Sequence, residues 1–252
     1  MRNLLLKIEY DGTAYFGWQV QNHTGSFVKR KFKTIQETIE FALQKILREK
    51  VKLVGSGRTD AGVHASAQIA NFKTVSSITP QRLQGALNAL LPDDIAVVGV
   101  EEAADDFHSR YSARSKVYRY TIINRLYRPA IARDYAYFCP YRLNMSLMRS
   151  EARQLVGRHD FRAFRASGSK KISSLRTIKS LKISRAGERI IVDIEADGFL
   201  YNMARCIVGT LLDIGRGKLK AGSIKKALRL KERKLAGLTA PAKGLCLVAV
   251  KY

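Results

Sequence analysis

Apolar positions along the chain alternate between a two-residue and a 3.6-residue period, and the changes of period mark out its elements. Leu4 to Tyr10 reads as an extended segment that ends at an Asp11-Gly12 turn, ahead of Tyr15, Phe16 and Trp18. At Thr34 the period becomes helical. Thr34 and Glu37 form a capping-box pattern, and Ile35, Ile39, Leu43, Ile46 and Leu47 recur on one side. A short strand at Val51 to Val54, a glycine-rich segment and a strand through Gln68 to Thr74 follow. Thr79 as cap with Pro80 in the first turn opens a second helix whose Leu83, Leu87 and Leu90 face a core. Ile95 to Val100 then reads as a buried strand.

The second half runs through the same sequence of periods. Val117 to Ile123 alternates as a strand, and a helix is expected near Leu147 to Val156. Leu175 to Ile183 and Ile190 to Ile194 follow, joined through Arg185-Ala186-Gly187-Glu188 as a hairpin. Leu200, Met203, Ala204, Ile207, Val208, Leu211 and Leu212 define a helix with a broad apolar stripe. A basic helix around Ile224 to Leu230 and a strand at Leu245 to Val250 close the chain. Each half thus reads strand, helix, two strands, helix, strand, which is the split βαβ order. The expectation is an α+β protein of two ferredoxin-like halves, residues 1–104 and 105–252, although the halves share no residue-level similarity. An ordinary α+β domain with a coincidental repeat is the alternative.

Charge changes the picture from fold to partner. Lys and Arg number 45 against 21 Asp and Glu, a net charge of +24, well beyond what solubility requires, so a polyanion is the expected partner. With 11 tyrosines and 10 phenylalanines, the chain can stack bases as well as hold phosphates. Leu4 to Leu6 is too short and too soon interrupted by Lys7 and Glu9 for a signal peptide, and no apolar run could span a bilayer. Cys139, Cys206 and Cys246 are widely spaced and odd in number, which suits reduced thiols rather than disulfides or a zinc site. A cytoplasmic protein is expected.

Three segments carry candidate chemistry. In Gly55-Ser56-Gly57-Arg58-Thr59-Asp60-Ala61-Gly62, three glycines bracket one arginine and one carboxylate. No Lys-Ser or Lys-Thr follows, so this is not a Walker phosphate loop. Asp60 is either a turn aspartate bonded to the backbone or a nucleophile. A metal held by Asp60 and His64 ranks last, for want of further ligands. Phe107 to Tyr120 alternates cations, Arg110 and Arg114 among them, with rings including Tyr118, a pattern that suits a stacking platform or a strand with one solvated face. Arg205 stands in an otherwise mostly apolar helix, where a guanidinium either meets an anion or snorkels to water.

The order and wording of these segments closely resemble the TruA-type tRNA pseudouridine synthases, the tRNA pseudouridine(38-40) synthase family. The likeness runs almost end to end. It takes in Ile8-Glu9-Tyr10-Asp11-Gly12, Gly17-Trp18-Gln19, Gly57 to His64, Phe107 to Tyr120, His159-Asp160-Phe161, Phe199 to Gly209 and Gly244 to Val250. The resemblance implies a homodimer without metal or organic cofactor. It also implies adjoining antiparallel sheets around a basic central cleft, and isomerisation of uridines in the tRNA anticodon stem-loop. By the same resemblance the nucleophile falls on Asp60, the base-contacting tyrosine on Tyr118 and the arginine that pairs with the catalytic carboxylate on Arg205. Arg58 falls on the arginine implicated in extruding the base, and His64 and Arg110 are further candidate substrate-binding residues. Tyr201 and Asn202 receive no role. A departure is the stretch from His23 to Lys33, which is longer than usual and carries Lys29, Arg30, Lys31 and Lys33.

The residue types suit that reaction. Converting uridine to pseudouridine breaks a C–N glycosidic bond, turns the base and makes a C–C bond, without oxidation. A carboxylate can attack sugar or base, or promote departure and recapture of uracil, and a nearby arginine favours its charged form. The uridine must leave its stack, and a ring such as Tyr118 can brace it. The basic runs at Lys29 to Lys33 and Lys218 to Lys234 are expected to hold phosphates, with affinity that falls steeply as salt rises. A non-catalytic RNA-binding or RNA-folding protein is the runner-up. A metal-dependent nuclease lacks the clustered carboxylates it would need.

Overall fold

The computed structural model describes residues 1–20, 34–166 and 173–252. The basic stretch Lys29, Arg30, Lys31 and Lys33 lies outside them. Along the chain run β1 (Arg2–Tyr10), α1 (Ile35–Leu47), β2 (Val54–Gly55), β3 (His64–Thr74), α2 (Pro80–Leu90) and β4 (Ile95–Ala103). There follow β5 (Ser115–Ile123), β6 (Tyr137–Phe138), α3 (Met145–Arg153), β7 (Gly157–Asp160), β8 (Leu175–Ala186), β9 (Arg189–Ala196), α4 (Met203–Gly215), α5 (Ser223–Leu230) and β10 (Leu245–Lys251). The chain divides into two units. One is Met1–Arg114 with Leu247–Tyr252, and the other is Ser115–Cys246.

In the first unit the strand order is β4-β1-β3, with β2 and this unit's part of β10 on the far side of β3. That is the split βαβ order expected from the sequence. The helices begin where the capping chemistry demands. Thr34 Oγ1 accepts the Glu37 N–H at 3.3 Å and Thr79 Oγ1 accepts the Arg82 N–H at 3.4 Å. Leu4, Leu6, Ile8 and Phe72 of the sheet and Ile35, Ile39, Leu43, Leu83 and Leu87 of the helices are buried. Three expectations need correction. Val51 to Leu53 lie outside the strand, which is only Val54–Gly55. Leu90 is half exposed because it is the last residue of α2, with no further helical turn beside it. β4 ends the strand order and is buried only at Ile95 and Val97, because an edge strand has a neighbour on one side alone.

The expected boundary at 104/105 also moves. Residues 105–114 belong to the first unit because two buried asparagines hold them there. Asn3 Nδ2 donates to the carbonyls of Ala104 (2.8 Å) and Phe107 (2.9 Å), and Asn71 Oδ1 accepts the Ser109 N–H at 2.9 Å. Tyr252 adds a ring contact to Phe107 at 4.9 Å and a hydrogen bond to the Ser109 carbonyl at 2.8 Å. Buried amides need such partners, so the segment and the C-terminal residues stay together.

In the second unit the order is β5-β9-β8-β7, antiparallel throughout, with β6 running parallel to β5. The expected hairpin joins β8 to β9, and Gly187 takes the left-handed turn position at φ 57°. α3 comes between β5 and β8 and α4 follows β9, so this half is also ferredoxin-like, with β6, β7 and α5 added. α4 explains the broad apolar stripe. Of its thirteen residues only Arg205 is not buried.

Candidate active site

The Asp60 loop is built by hydrogen bonds from three sides. Gln68 on β3 accepts from Ser56 Oγ at 2.7 Å and donates to the Gly57 carbonyl at 2.9 Å. On the other side the Thr59 hydroxyl meets the Tyr10 hydroxyl at 2.8 Å in a buried contact, and the Thr59 carbonyl accepts the Trp18 N–H at 3.1 Å. The Asp60 carbonyl accepts the Val63 N–H at 3.1 Å and so closes a turn in which Gly62 has φ 75°, the left-handed third position of a type II turn. The backbone of Asp60 is thus committed to the turn, while its side chain is only partly buried.

Tyr10 reaches Thr59 because the β1–β3 register shifts between Ile8 and Tyr10, and such a bulge re-aims a side chain at a strand end. Gly17 lies against the same loop. A β-carbon there would sit 2.4 Å from the Thr59 carbonyl oxygen and 3.0 Å from the Asp60 carbonyl carbon, and its φ is 82°. Only glycine lets the chain pass so close in that conformation. The Gly17-Trp18 pair thus clamps Thr59 and Asp60 while Trp18 itself is buried beside Tyr10, ring centroids 6.1 Å apart.

The other candidates of this unit are placed differently. Arg58 is exposed next to the fixed loop. His64 is buried, and its Nδ1 lies 3.2 Å from the Gly12 N–H and 3.0 Å from Asp11 Oδ1. It joins the Asp11-Gly12 turn to the start of β3. Arg110 is exposed, with its guanidinium 5.8 Å from the ring of Tyr111, which is itself 77 % exposed.

In the second unit Tyr118 is buried on β5, edge-on to Phe199 with centroids 4.9 Å apart and planes at 85°, a favoured aromatic geometry. Tyr120, two residues on, is a core residue. Its hydroxyl donates to the Pro241 carbonyl at 2.8 Å, and burial pushes its pKa up against the opposing charge of Arg205. Arg205 is held by neighbours of its own unit. Its Nε donates to the Ala240 carbonyl and one Nη to Asn202 Oδ1, each at 2.7 Å.

Ala240 reaches Arg205 because Gly209 has no side chain. A β-carbon at Gly209 would lie 1.7 Å from the Leu238 carbonyl oxygen, so the 238–240 segment can rest directly on α4. Asn202, left without a role by sequence reasoning, caps α4 in the left-handed region at φ 60° and holds the guanidinium. Its signal was visible in part: asparagine tolerates that conformation better than other side chains. Nothing in the sequence could show that Ala240 would offer its carbonyl. Among the described residues, no group of three or more His, Cys, Asp or Glu could hold a metal ion.

The sequence as a whole has relatives among known proteins. Residues 7–112 and 152–252 match the family described as tRNA pseudouridine synthase. The chain belongs to this family. It is 46% identical over 252 residues to tRNA pseudouridine synthase A of Thermoanaerobacter sp. (strain X514), covering 100% of both chains. It is also similar to tRNA pseudouridine synthase A 2 of Clostridium perfringens at 47% identity and to tRNA pseudouridine synthase A of Caldicellulosiruptor bescii at 48%, each covering 100% of both chains.

Proposed function

We propose that the protein isomerises uridine to pseudouridine in tRNA, at positions 38–40 of the anticodon stem-loop, with Asp60 as nucleophile. Membership of the family over the whole length of its relatives carries the reaction. The immobilised Thr59-Asp60 loop supports the assignment of the residue, because a nucleophile held on fixed backbone needs little reorganisation to attack. Tyr118, stiffened by Phe199, is the ring that braces the extruded base. Arg205, held by Ala240 and Asn202, supplies the cation that keeps the nucleophile ionised. Arg58 and Arg110, both exposed, are suited to RNA phosphates, whereas the buried His64 joins the Asp11-Gly12 turn to the start of β3.

Asp60 opens the sequence by attack on sugar or base. The C1′–N1 bond breaks, the base turns, C5 bonds to C1′, the bond to Asp60 is released, and the C5 proton leaves for solvent while N1 takes one up. The enzyme acts as a homodimer in the cytoplasm. Three free cysteines are consistent with a reducing compartment, and among the described residues no helix is long and apolar enough to cross a membrane.

Release of tritium from tRNA carrying 5-tritiated uridine tests the reaction whichever centre is attacked. Asp60→Asn is expected to abolish release while tRNA binding persists, and equal release from both proteins would overturn the assignment. Mapping of the modified positions tests 38–40. For the pairing of roles, Asp60→Asn and Arg205→Ala should be strongly non-additive in the rate of the chemical step. Additive losses would remove Arg205 from the mechanism.

A further inference from the structure

The basic run after α4 does not form a uniformly solvated face. It folds around a cavity of about 410 Å³ lined by Lys218, Lys220, Lys226 and Lys234 together with Gly222 and Leu235. All four lysines are exposed, and Lys234 is paired with Glu232 at 2.9 Å. We infer that this four-lysine cavity is a second RNA-binding site, which grips the sugar-phosphate backbone of the substrate without reading its sequence.

Three observations select that ligand class. The lining residues include no aromatic side chain, so the cavity offers bases nothing to stack on and favours phosphates over bases. The backbone donors at the start of α5 are already used. Glu151, from α3, accepts the N–H groups of Gly222 (2.8 Å) and Ile224 (3.3 Å), and the Ser223 N–H goes to the Lys220 carbonyl at 3.2 Å. A single phosphate cradled by backbone N–H groups, as in a nucleotide site, is therefore excluded from that turn. What is left is a set of ammonium point charges on long stems, which attract phosphodiesters in many geometries rather than one.

Its place in the fold sets the size of ligand that can use it together with Arg205. α4 runs from Met203 to Gly215, and the cavity begins three residues beyond its end. Lys218 and Leu219 donate back to the Asp213 carbonyl, so at about 1.5 Å per residue the cavity starts roughly 12 Å along the helix from Arg205. One nucleotide cannot span that distance, but a folded RNA can. The inference rests on the tRNA reading for its RNA and on the cavity for its location, so it predicts an effect on RNA capture and none on the chemical step.

The test compares the full-length protein with the triple variant Lys218→Gln, Lys220→Gln, Lys226→Gln, and with a control of equal charge loss at exposed lysines of the other unit, Lys50→Gln, Lys52→Gln, Lys73→Gln. Binding of unmodified tRNA is measured across a salt series, and kcat and KM by tritium release. For the cavity variant the expected results are a Kd and KM raised roughly tenfold to hundredfold, a salt slope shallower by about 2 to 3, and kcat unchanged. The control should move far less. An unchanged Kd and slope in the cavity variant, or an equal change in the control, overturns the site. If the wild-type protein binds tRNA through these lysines yet releases no tritium, the catalytic reading fails and this inference stands.

Discussion

Gly17→Ala should damage the enzyme in two separable ways. The new β-carbon would start 2.4 Å from the Thr59 carbonyl oxygen, where ordinary contact begins near 3.4 Å, so Thr59 and Asp60 must retreat by about 1 Å. Holding alanine at φ 82° costs about 1–2 kcal/mol, and crowding a packed site costs about 1–3 kcal/mol more, for a destabilisation of about 2–5 kcal/mol. Urea unfolding followed by the fluorescence of Trp18, the one tryptophan in the sequence, reads that loss beside the loop itself. The second effect is on catalysis. If Asp60 is the nucleophile, as proposed, its displacement by about 1 Å should slow the reaction about 100-fold, measured as single-turnover tritium release with enzyme in excess over tRNA. Gly187→Ala is the control, since its φ is 57° and nothing lies within 4 Å; it should lose about 1 kcal/mol and keep its rate. If Gly17→Ala were destabilised by about 2–5 kcal/mol but turned over within about twofold of wild type, this clamp would not set the position of Asp60.

Asn202→Gly keeps the left-handed backbone at no steric cost and removes one acceptor of Arg205, leaving the Ala240 carbonyl in place. Given the catalytic role proposed for that arginine, kcat should fall about tenfold with KM retained, consistent with loss of one hydrogen bond to a charged group, and Asn202→Ala should in addition lose stability to urea. Asp160 gives a pH prediction. Burial acts to raise its pKa, but hydrogen bonds from Ser174, the Arg162 N–H and Lys231, with the charge of Arg162, outweigh it and hold the carboxyl below the usual range. A pKa lowered on folding means stability that is complete above the unfolded value and is lost as pH falls through the folded one. Asp160→Asn should therefore be less stable than wild type at neutral pH, and the difference should shrink in acid-unfolding measurements below pH about 4. A difference that stays constant from neutral pH into acid would refute the assignment.

Local chemistry explains what could be read early. Thr34 and Thr79 cap their helices through their own hydroxyls, and the β8–β9 hairpin turns at a glycine, because these interactions span only a few residues. The periodicity of Ile35, Ile39 and Leu43 similarly reports a face that any core would bury. By contrast, Leu90 and Val98 carry the same apolar signal as their neighbours yet stand 50% and 44% exposed. Whether an apolar residue finds cover depends on which element ends or edges the sheet, and that is a property of the assembled strands.

The candidate site divides along the same line. Asp60, Arg58, Tyr118 and Arg205 were nominated from the sequence because motif order and residue chemistry are written in it, as is the charge excess that calls for RNA. The sequence by itself thus determined the α+β order of elements, the class of partner and the residues to test. Only the tertiary structure decided how those residues are held: Tyr10 and Trp18 on Thr59, Asn202 and Ala240 on Arg205, His64 turned inward to Asp11, and four lysines gathered around one cavity. The Tyr10, Trp18 and Ala240 contacts depend on a bulge or a missing β-carbon, and distances of that kind exist only once the chain has closed on itself.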